Sequence, residues 1–452
     1  MTWTQWPWLE LTIAVPLLFA VATFFVRDQL RAVRLAGLGC AITFLLAMVA
    51  WIAHSLADVS GAGPLFRVDE LTAPLVPLVA FMHLLTVVMT SADKARRFGT
   101  PRFLLSLFLR LALFSTFEQN LLIPLLVLCV VPPYFDLRSR GHRSRLYVIH
   151  MGVFVALLLV GWILTSSNLI QLGAACYLVA ALVRSGVLPA HVWVPDLFAN
   201  GSLSSALLSV GPLVGVYMAV RLAVPVAPGW MLAAVTVLSL LTAVCSAGLA
   251  LVQNSVRRFV AHLFVSFSSL VFIGLEVHTR ESCTGALALW FSLMLSATGV
   301  GLIVRALEDR YGLLPLKSFH GLYDRCPLLA VGFLVCGLAC VGFPGTMGFV
   351  ASELLIDGTI HENPWIGIAM ILVSAMNGIA IMRVYWKLFC GRKPASQAEL
   401  PITRTERWSV TLLCLIIVAG GLFPQPELNS RMKASSVLFV NPPVPEVATT
   451  HL

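Results

Sequence analysis

Charged residues are scarce in this chain of 452 residues. Asp, Glu, Lys and Arg together supply 11% of the sequence, whereas hydrophobic residues supply 59% and the mean hydropathy is +0.91. Soluble globular proteins contain about 25% charged residues, and a water-exposed shell could not be built from so few. The shortage of charge therefore excludes a soluble enzyme, a disordered chain and a nucleic-acid-binding protein. It predicts a polytopic membrane protein.

Motifs of catalytic and metal chemistry are also missing. The ten cysteines form no CxxC pair and no Cys/His set with zinc spacing, and almost all lie in apolar segments, where cysteine packs as a small hydrophobe. The sequence contains no phosphate-binding glycine loop, no Ser/His/Asp set and no nucleotide fingerprint. We therefore expect no cofactor, no metal and no catalytic residue. A transport or coupling subunit is predicted rather than an enzyme, although the complex around it can be an enzyme.

Long apolar runs are what the sequence does contain. A bilayer core of about 30 Å requires roughly 20 apolar residues per helix, and continuous runs favour helices over the alternating pattern of a β-barrel. We predict an all-α fold with about fourteen transmembrane helices on this length rule. The predicted spans are residues 8–26, 35–53, 71–91, 103–119, 120–137, 146–166, 168–189, 203–222, 230–252, 258–276, 284–304, 327–356, 364–386 and 408–424.

The loops between these spans indicate an orientation. If the N-terminus lies outside, every second loop is basic, as at Lys94, Arg96, Arg97 and Arg102, while the opposite loops carry mostly acidic residues. Basic loops stay on the cytoplasmic side of a membrane, which accounts for the net charge of +9 without an acidic partner. We expect an integral protein of a bacterial cytoplasmic (inner) membrane with both termini outside.

Two spans are interrupted by proline and glycine. Pro189 and Pro195 interrupt one, and Pro344 lies in a cluster of glycines in the other. Broken helices in corresponding positions of two halves are typical of inverted repeats around a midplane pathway, with two ordinary proline kinks as the alternative. The predicted divisions are N-terminal helices over 1–102, a first inverted five-helix repeat over 103–222, a second over 230–390, and a last helix with a C-terminal tail over 391–452.

Four stretches resemble the motifs of one family. They are FRVDELTAPLV (66–76), PAHVWVPDLFANGSLSSALLS (189–209), ALVQNSVRRFVAHLFVSFSSL (250–270) and GFPGTMGFVASELLI (342–356). In this order they are similar to the antiporter-like membrane subunits of respiratory complex I, membrane-bound hydrogenases and Mrp-type cation/proton antiporters. The resemblance implies fourteen core helices with two inverted repeats. It also implies that the partners are membrane lipid and other subunits of a membrane complex.

The resemblance further implies a proton relay through a buried Glu, a Lys, a central His or Lys, and a final Lys or Glu. This chain departs from that pattern at each position. Cys129 stands where the family has the Glu, Arg184 stands where it has the Lys, and Ser209 stands where it has a histidine. Thr298 lies in a span that has no His or Lys at relay depth. Ser352 stands at the last basic position. Arginine does not release its proton near neutral pH, and a buried thiol cannot supply a carboxylate charge. The usual proton cycle of the family is therefore not expected to operate unchanged.

Seven ionisable residues are candidates for an ion pathway: Arg184, Glu353, His262, Arg110, Glu118, His191 and Asp196. Charge inside a membrane is costly and is often functional. Each candidate also has a structural interpretation. Arg184 can pair with unwound carbonyls, Glu118 can lie at the interface, His191 and Asp196 can make loop hydrogen bonds, His262 can be a packed core residue, and Glu353 can lie in water.

Three functions stay open on the sequence alone. The leading hypothesis is an integral membrane subunit of a multi-subunit ion-motive complex, which translocates or couples protons or Na⁺ through a midplane polar cavity. An alternative uses the same fold in a DAB-type inorganic carbon uptake complex, with a large soluble zinc-containing, carbonic-anhydrase-like subunit on the cytoplasmic face. The third is a non-conducting scaffold, which the lost relay positions suggest. The residues after Pro424 are predicted to form an external extension that lies against a partner or stays disordered.

Overall fold

The chain is almost entirely helical. The computed structural model describes residues 6–57, 65–95, 98–142, 144–277, 279–391 and 402–440. Within these ranges an isolated β-bridge joins Ser255 to Pro315, and the named elements are all helices. The prediction of an all-α protein is confirmed.

The helices in chain order are α1 (Trp8–Phe24), α2 (Gln29–Ala57), α3 (Leu75–Val88), α4 (Ala92–Ala95), α5 (Thr100–Phe114), α6 (Gln119–Leu128), α7 (Val131–Ser139), α8 (Arg145–Ser166), α9 (Ile170–Ser185), α10 (Trp193–Asn200), α11 (Leu203–Val210), α12 (Val214–Met218), α13 (Gly229–Val252), α14 (Val256–Glu276), α15 (Arg280–Tyr311), α16 (Pro327–Cys340), α17 (Met347–Glu362), α18 (Pro364–Phe389), α19 (Arg404–Leu422) and α20 (Gln425–Val440). A π-helical turn, Ala219–Ala223, continues α12.

Length and hydropathy identify this chain as an integral membrane protein. Nine helical segments of the described residues are long and apolar enough to cross a bilayer, and four shorter helices are also apolar. The short ones are α1, α3, α9 and α16, and the last two adjoin the interrupted stretches. The total of fourteen spans, the domain divisions and the inverted relation of the two halves stay predictions.

Burial separates central helices from peripheral ones. The apolar window of α14 is 100% buried and that of α15 is 94% buried, whereas the window of α8 is only 22% buried. The long helix α15 packs against α3, α11, α14, α16, α17, α19 and α20. Because α14 and α15 are almost completely buried, their polar side chains have to find hydrogen-bond partners within the protein.

The first interruption separates α9 from α10. The helix α9 ends at Gly186, whose φ of 72° is left-handed, and the Val187 N–H then donates to the Leu182 carbonyl at 2.9 Å. Glycine is favoured there because the left-handed region strains other residues. The indole Nε1 of Trp193, the first residue of α10, donates to the Val183 carbonyl at 2.9 Å. This bond fastens the second half-helix to the end of the first.

The second interruption lies between α16 and α17. Gly342 and Gly345 have φ values of 74° and 85°, so the chain turns sharply before α17 resumes at Met347. A Cβ on Gly348 would lie 2.0 Å from the Ala339 carbonyl oxygen, which means that the two half-helices approach more closely than any side chain allows. Both interruptions predicted from proline and glycine are therefore present.

Two expectations from the sequence are wrong in detail. Arg110 and Glu118 were expected on one helix, but α5 ends at Phe114 and Glu118 precedes α6. The residues after Pro424 were expected to be an extension, yet α20 packs on this chain. Within α20, Arg431 is buried and donates to the Glu70 carbonyl at 2.9 Å and to the Leu71 carbonyl at 3.1 Å. Residues 441–452 lie outside the described part of the chain.

Arg221 and Asp69 form an ion pair that joins the start of the α3 region to the π-helical turn. The Arg221 Nη2 and Asp69 Oδ2 atoms are 2.8 Å apart. The Asp69 Oδ1 atom also accepts a hydrogen bond from the Thr72 amide at 3.0 Å. Asp69 of the 66–76 stretch therefore holds these two parts of the fold together.

Substituting Gly348 tests the close approach at the second interruption. We expect Gly348→Ala to lower the free energy of unfolding by about 1–3 kcal/mol, as overpacking does, because its Cβ would overlap the Ala339 carbonyl oxygen. The measurement is the thermal unfolding midpoint of the purified protein in detergent. Gly378→Ala in α18 is the matched control, since the nearest atom to its Cβ would be 3.9 Å away. Equal midpoints for the two variants would contradict the packing.

Candidate functional site

Two buried arginines from different helices meet at one residue. Arg110 of α5 and Arg184 of α9 are 2% and 4% exposed. The Arg110 Nη2 atom donates to the Ser209 hydroxyl at 3.4 Å, and the Arg184 Nη2 atom donates to the Ser209 carbonyl at 3.1 Å. The sequence predicted both arginines and Ser209 separately, and the fold brings the three together.

The Ser209 carbonyl is available because the regular helical hydrogen bonds end here. In a continuous helix it would accept from the amide of Leu213, but that amide donates to Val210 at 3.0 Å instead. Pro212 has no N–H, so the hydrogen-bond ladder is disrupted at this point. The end of α11 therefore presents an oxygen that the Arg184 guanidinium can use.

Neutral groups surround both arginines. Arg110 Nη1 donates to the Ser106 carbonyl at 2.8 Å, and the Arg184 guanidinium lies over the Trp193 ring, 5.5 Å from its centre. Among the described residues, neither arginine forms an ion pair, and the Nε atom of each has no hydrogen-bond partner. Buried cations without a counter-charge are costly, so this cluster is a functional candidate rather than ordinary packing.

Cys129 and His83 complete the buried cluster. Cys129 is 3% exposed and lies within electrostatic range of both guanidinium groups, where the resemblance would place a carboxylate. The His83 ring is fully buried, with Nδ1 2.8 Å from the Val79 carbonyl and Nε2 3.4 Å from the Ser106 hydroxyl. Sequence reasoning did not select His83, because no motif includes it and its position within an apolar span was the only signal.

A cavity of about 720 Å³ leads to the cluster from the basic end of the bundle. Arg110 and Ser209 line its inner part. The other charged lining residues are Lys94, Arg102, Arg140, Arg257, Arg305 and Asp136, and the serines are Ser106, Ser139, Ser202, Ser204, Ser205 and Ser209. The cavity is therefore hydroxyl-rich and strongly positive, with apolar residues such as Phe98 and Leu203 also in its lining.

Ion pairs and backbone contacts organise the mouth of the cavity. The Arg257 Nε atom donates to the Glu308 Oε1 atom at 2.8 Å, and Arg257 Nη1 donates to the Gly201 carbonyl at 3.2 Å. Lys94 pairs with Asp309, and Arg305 donates to the Thr86 carbonyl at 2.8 Å. These contacts tie α15 to the α10–α11 connection and to α3.

Buried hydroxyls of α15 lie between the two interruptions. The Thr298 hydroxyl lies close to Gly211, just after α11, since a Cβ added to Gly211 would be 3.0 Å from the Thr298 Oγ1 atom. The Ser292 hydroxyl lies close to Gly348, since a Cβ added to Gly348 would be 3.2 Å from the Ser292 Oγ atom. Those two hydroxyls have no hydrogen-bond partner among the described residues. Ser296, between them, donates to the Ser292 carbonyl at 2.8 Å. Hydroxyls thus take the place of the His or Lys that the resemblance implies.

The other candidates lie apart from the arginine cluster. Glu353 is exposed on the surface of α17, whereas its neighbour Ser352 donates to the Gly348 carbonyl at 2.7 Å. Glu118 is also exposed. Glu353 is therefore turned away from the arginine cluster, and a pathway role for Glu353 or Glu118 stays a prediction.

His191, His262 and Asp196 lie around the first interruption. His262 is buried and within electrostatic range of the half-buried His191, and the Nδ1 atom of each ring has no hydrogen-bond partner among the described residues. Asp196 accepts a hydrogen bond from the Asn200 side chain at 2.8 Å. This bond lies within α10 rather than in a loop, and a pathway role for any of the three stays a prediction.

The fold and the site together define a helical integral membrane protein with buried cations at an interrupted helix. Residues 147–377, just over half of the chain, match the family model described as NADH:quinone oxidoreductase/Mrp antiporter, TM. The chain belongs to this family. The antiporter-like resemblance inferred from the motifs is confirmed.

Curated relatives include subunits of electron-transfer complexes. The chain is 24% identical over 489 residues to F(420)H(2) dehydrogenase subunit M of Methanosarcina mazei, and the match covers 96% of this chain and 98% of that protein. It is 25% identical over 258 residues to NADH-quinone oxidoreductase subunit M of Rickettsia typhi, where the match covers 56% of this chain and 52% of the relative.

Solved structures share the fold. A chain of respiratory complex I from Thermus thermophilus with bound NADH aligns with a TM-score of 0.84 at 21% identity, covering 95% of this chain and 99% of that one. A chain of the Mrp complex from Dietzia sp. aligns with a TM-score of 0.85 at 18% identity, covering 97% and 98%. At this level of identity the likeness concerns the fold.

Thiol labelling tests whether water fills the cavity. Ser205→Cys, made in a background in which the exposed Cys245 and Cys390 are replaced by serine, should react with a membrane-impermeant methanethiosulfonate added to the basic face. The same reagent added to the opposite face should leave it unmodified. Ser296→Cys is the control and should stay unmodified from both faces, because Ser296 is fully buried. Labelling of Ser205→Cys from the opposite face alone would contradict the direction of the cavity.

Proposed function

We propose that this chain is the ion-coupling membrane subunit of a multi-subunit complex and that the transported ion is the proton. The proposal rests chiefly on one observation, the pair of buried arginines without a carboxylate at the inner end of a cavity of about 720 Å³. Membership of the antiporter-like family supports it, as do relatives that are subunits of larger membrane complexes. Other membrane subunits are the partners in this proposal.

The proposed route has three parts. Protons enter the serine-lined cavity from the basic face, pass the arginine cluster near Ser209, and continue through water and the α15 hydroxyls towards Ser352. Arginine keeps its proton near neutral pH. Arg110 and Arg184 therefore supply a fixed field rather than carrying the proton themselves.

Fixed positive charge makes this route a gate rather than an open channel. At an effective dielectric constant of about 20, a unit charge about 5 Å from another raises the energy of a cation by about 3 kcal/mol. That corresponds to roughly a hundredfold lower occupancy by an excess proton. Arginine is also the residue that excludes protons and cations in selective pores. Conduction then requires that the field of the pair be neutralised or displaced during the working cycle of the complex.

Replacing Arg184 tests this gate. In the complex purified from its own membrane and reconstituted in proteoliposomes, we expect Arg184→Met to increase the passive proton leak under an imposed pH gradient at least tenfold. The reason is the loss of one of the two charges that repel the proton. The measurement is the fluorescence of a pH-sensitive dye trapped in the vesicles.

Arg431→Met is the matched control for this experiment. It removes another buried guanidinium that is held by backbone carbonyls, but on α20 rather than at the cavity. Its leak should equal that of the unmodified complex. Equal leak in all three proteins would contradict the gate and favour the non-conducting scaffold.

A further inference from the structure

We propose that the inner end of the cavity binds a small monovalent oxyanion, held by Arg110 and the Ser209 hydroxyl with Arg184 behind them. The inference rests on the proposed function in one respect, since a bound anion would neutralise the gate. The site itself is argued from charge and hydrogen-bonding capacity. Arg305 is also buried and lines the cavity, but its two Nη atoms donate to the Thr86 carbonyl at 2.8 Å and to the Thr90 hydroxyl at 2.7 Å.

Charge at the inner end is not balanced by the protein. Of the cations near the mouth, Arg257 pairs with Glu308 and Lys94 with Asp309. Asp136 is the carboxylate that lines the cavity. It accepts a hydrogen bond from the Ser202 amide at 2.7 Å and forms an ion pair with Arg140 at 3.5 Å. The positive charges of Arg110 and Arg184 are therefore left without a counter-ion from the described residues, and the site repels a metal cation.

Hydrogen-bonding capacity is also left over. Arg110 is only 2% exposed and lines the cavity, and its Nε–H has no hydrogen-bond partner among the described residues. The Ser209 hydroxyl accepts from Arg110, and its own O–H donates to none of the groups that the structure describes. Together these groups offer a guanidinium edge and a hydroxyl. Guanidinium groups favour planar oxyanions, which they bind through two parallel hydrogen bonds.

Donor number and charge limit the class of anion. The Phe103 and Leu208 side chains line the cavity beside the polar groups and offer no hydrogen-bond donor. Arg110 is the guanidinium of the pair that lines the cavity, and the second positive charge acts from behind Ser209. This arrangement fits formate, nitrate or hydrogencarbonate better than it fits orthophosphate, whose charge near neutral pH is close to two and whose oxygens require more donors.

Ligand-dependent thermal unfolding tests the site directly. A ligand that binds only the folded protein raises the unfolding midpoint in a saturable way. We expect sodium formate and sodium nitrate to raise the midpoint of the purified protein in detergent, relative to sodium gluconate at equal ionic strength. Sodium phosphate should have at least a tenfold weaker effect per unit concentration. A linear, unsaturated response that is the same for all four salts would overturn the proposal.

Variants assign the effect to the site. Arg110→Gln should weaken the apparent affinity for formate at least tenfold, and Ser209→Ala, a small change that is expected to fold, should weaken it about threefold. Arg102→Gln is the control at the mouth, where Arg102 donates to the Phe135 carbonyl, and it should change the affinity less than twofold. Unchanged affinity in both Arg110→Gln and Ser209→Ala would overturn the site.

The two proposals can fail separately. If formate binds and depends on Ser209 while Arg184→Met leaves the proton leak unchanged, the anion site stands and the gate is wrong. If the leak increases in Arg184→Met but no salt gives a saturable shift, the gate stands and the anion site is wrong.

Discussion

Burial of two guanidinium charges without a carboxylate is the constraint around which this structure is organised. A charge deep in a helical bundle has to be solvated by protein dipoles or by water. Here the Ser106 and Ser209 carbonyls, the Ser209 hydroxyl and the face of Trp193 supply the dipoles. The cavity supplies access to water.

The interrupted helices make this solvation possible. The Ser209 carbonyl is free to accept from Arg184 because the Leu213 amide, its donor in a regular helix, donates to the Val210 carbonyl instead. The same region contains the left-handed Gly186, which ends α9 just after Arg184. Interrupted backbone at membrane depth is tolerated where it is buried in protein or lines a water-filled space. Here Ser209 is buried and lines the cavity.

Much of the fold, but less of the site, could be predicted from the sequence. Hydropathy and the Pro189 and Pro344 clusters predicted helices and their interruptions, because backbone chemistry is local. The meeting of Arg110 and Arg184 at Ser209 was not predictable, since three helices have to be rotated towards one point. Helix rotation likewise placed Glu353 outside. Hydropathy cannot determine such rotations when nearly every residue of a span is apolar.

The central claim is that the arginine pair has no carboxylate partner in the working complex. An electron cryomicroscopy map of the complex in lipid nanodiscs, at a resolution that shows ordered water, tests this claim most directly. The account predicts both guanidinium groups at Ser209, with density for water or a small anion in the cavity. A carboxylate from another subunit within ion-pair distance of Arg110 or Arg184, or lipid filling the cavity, would contradict it.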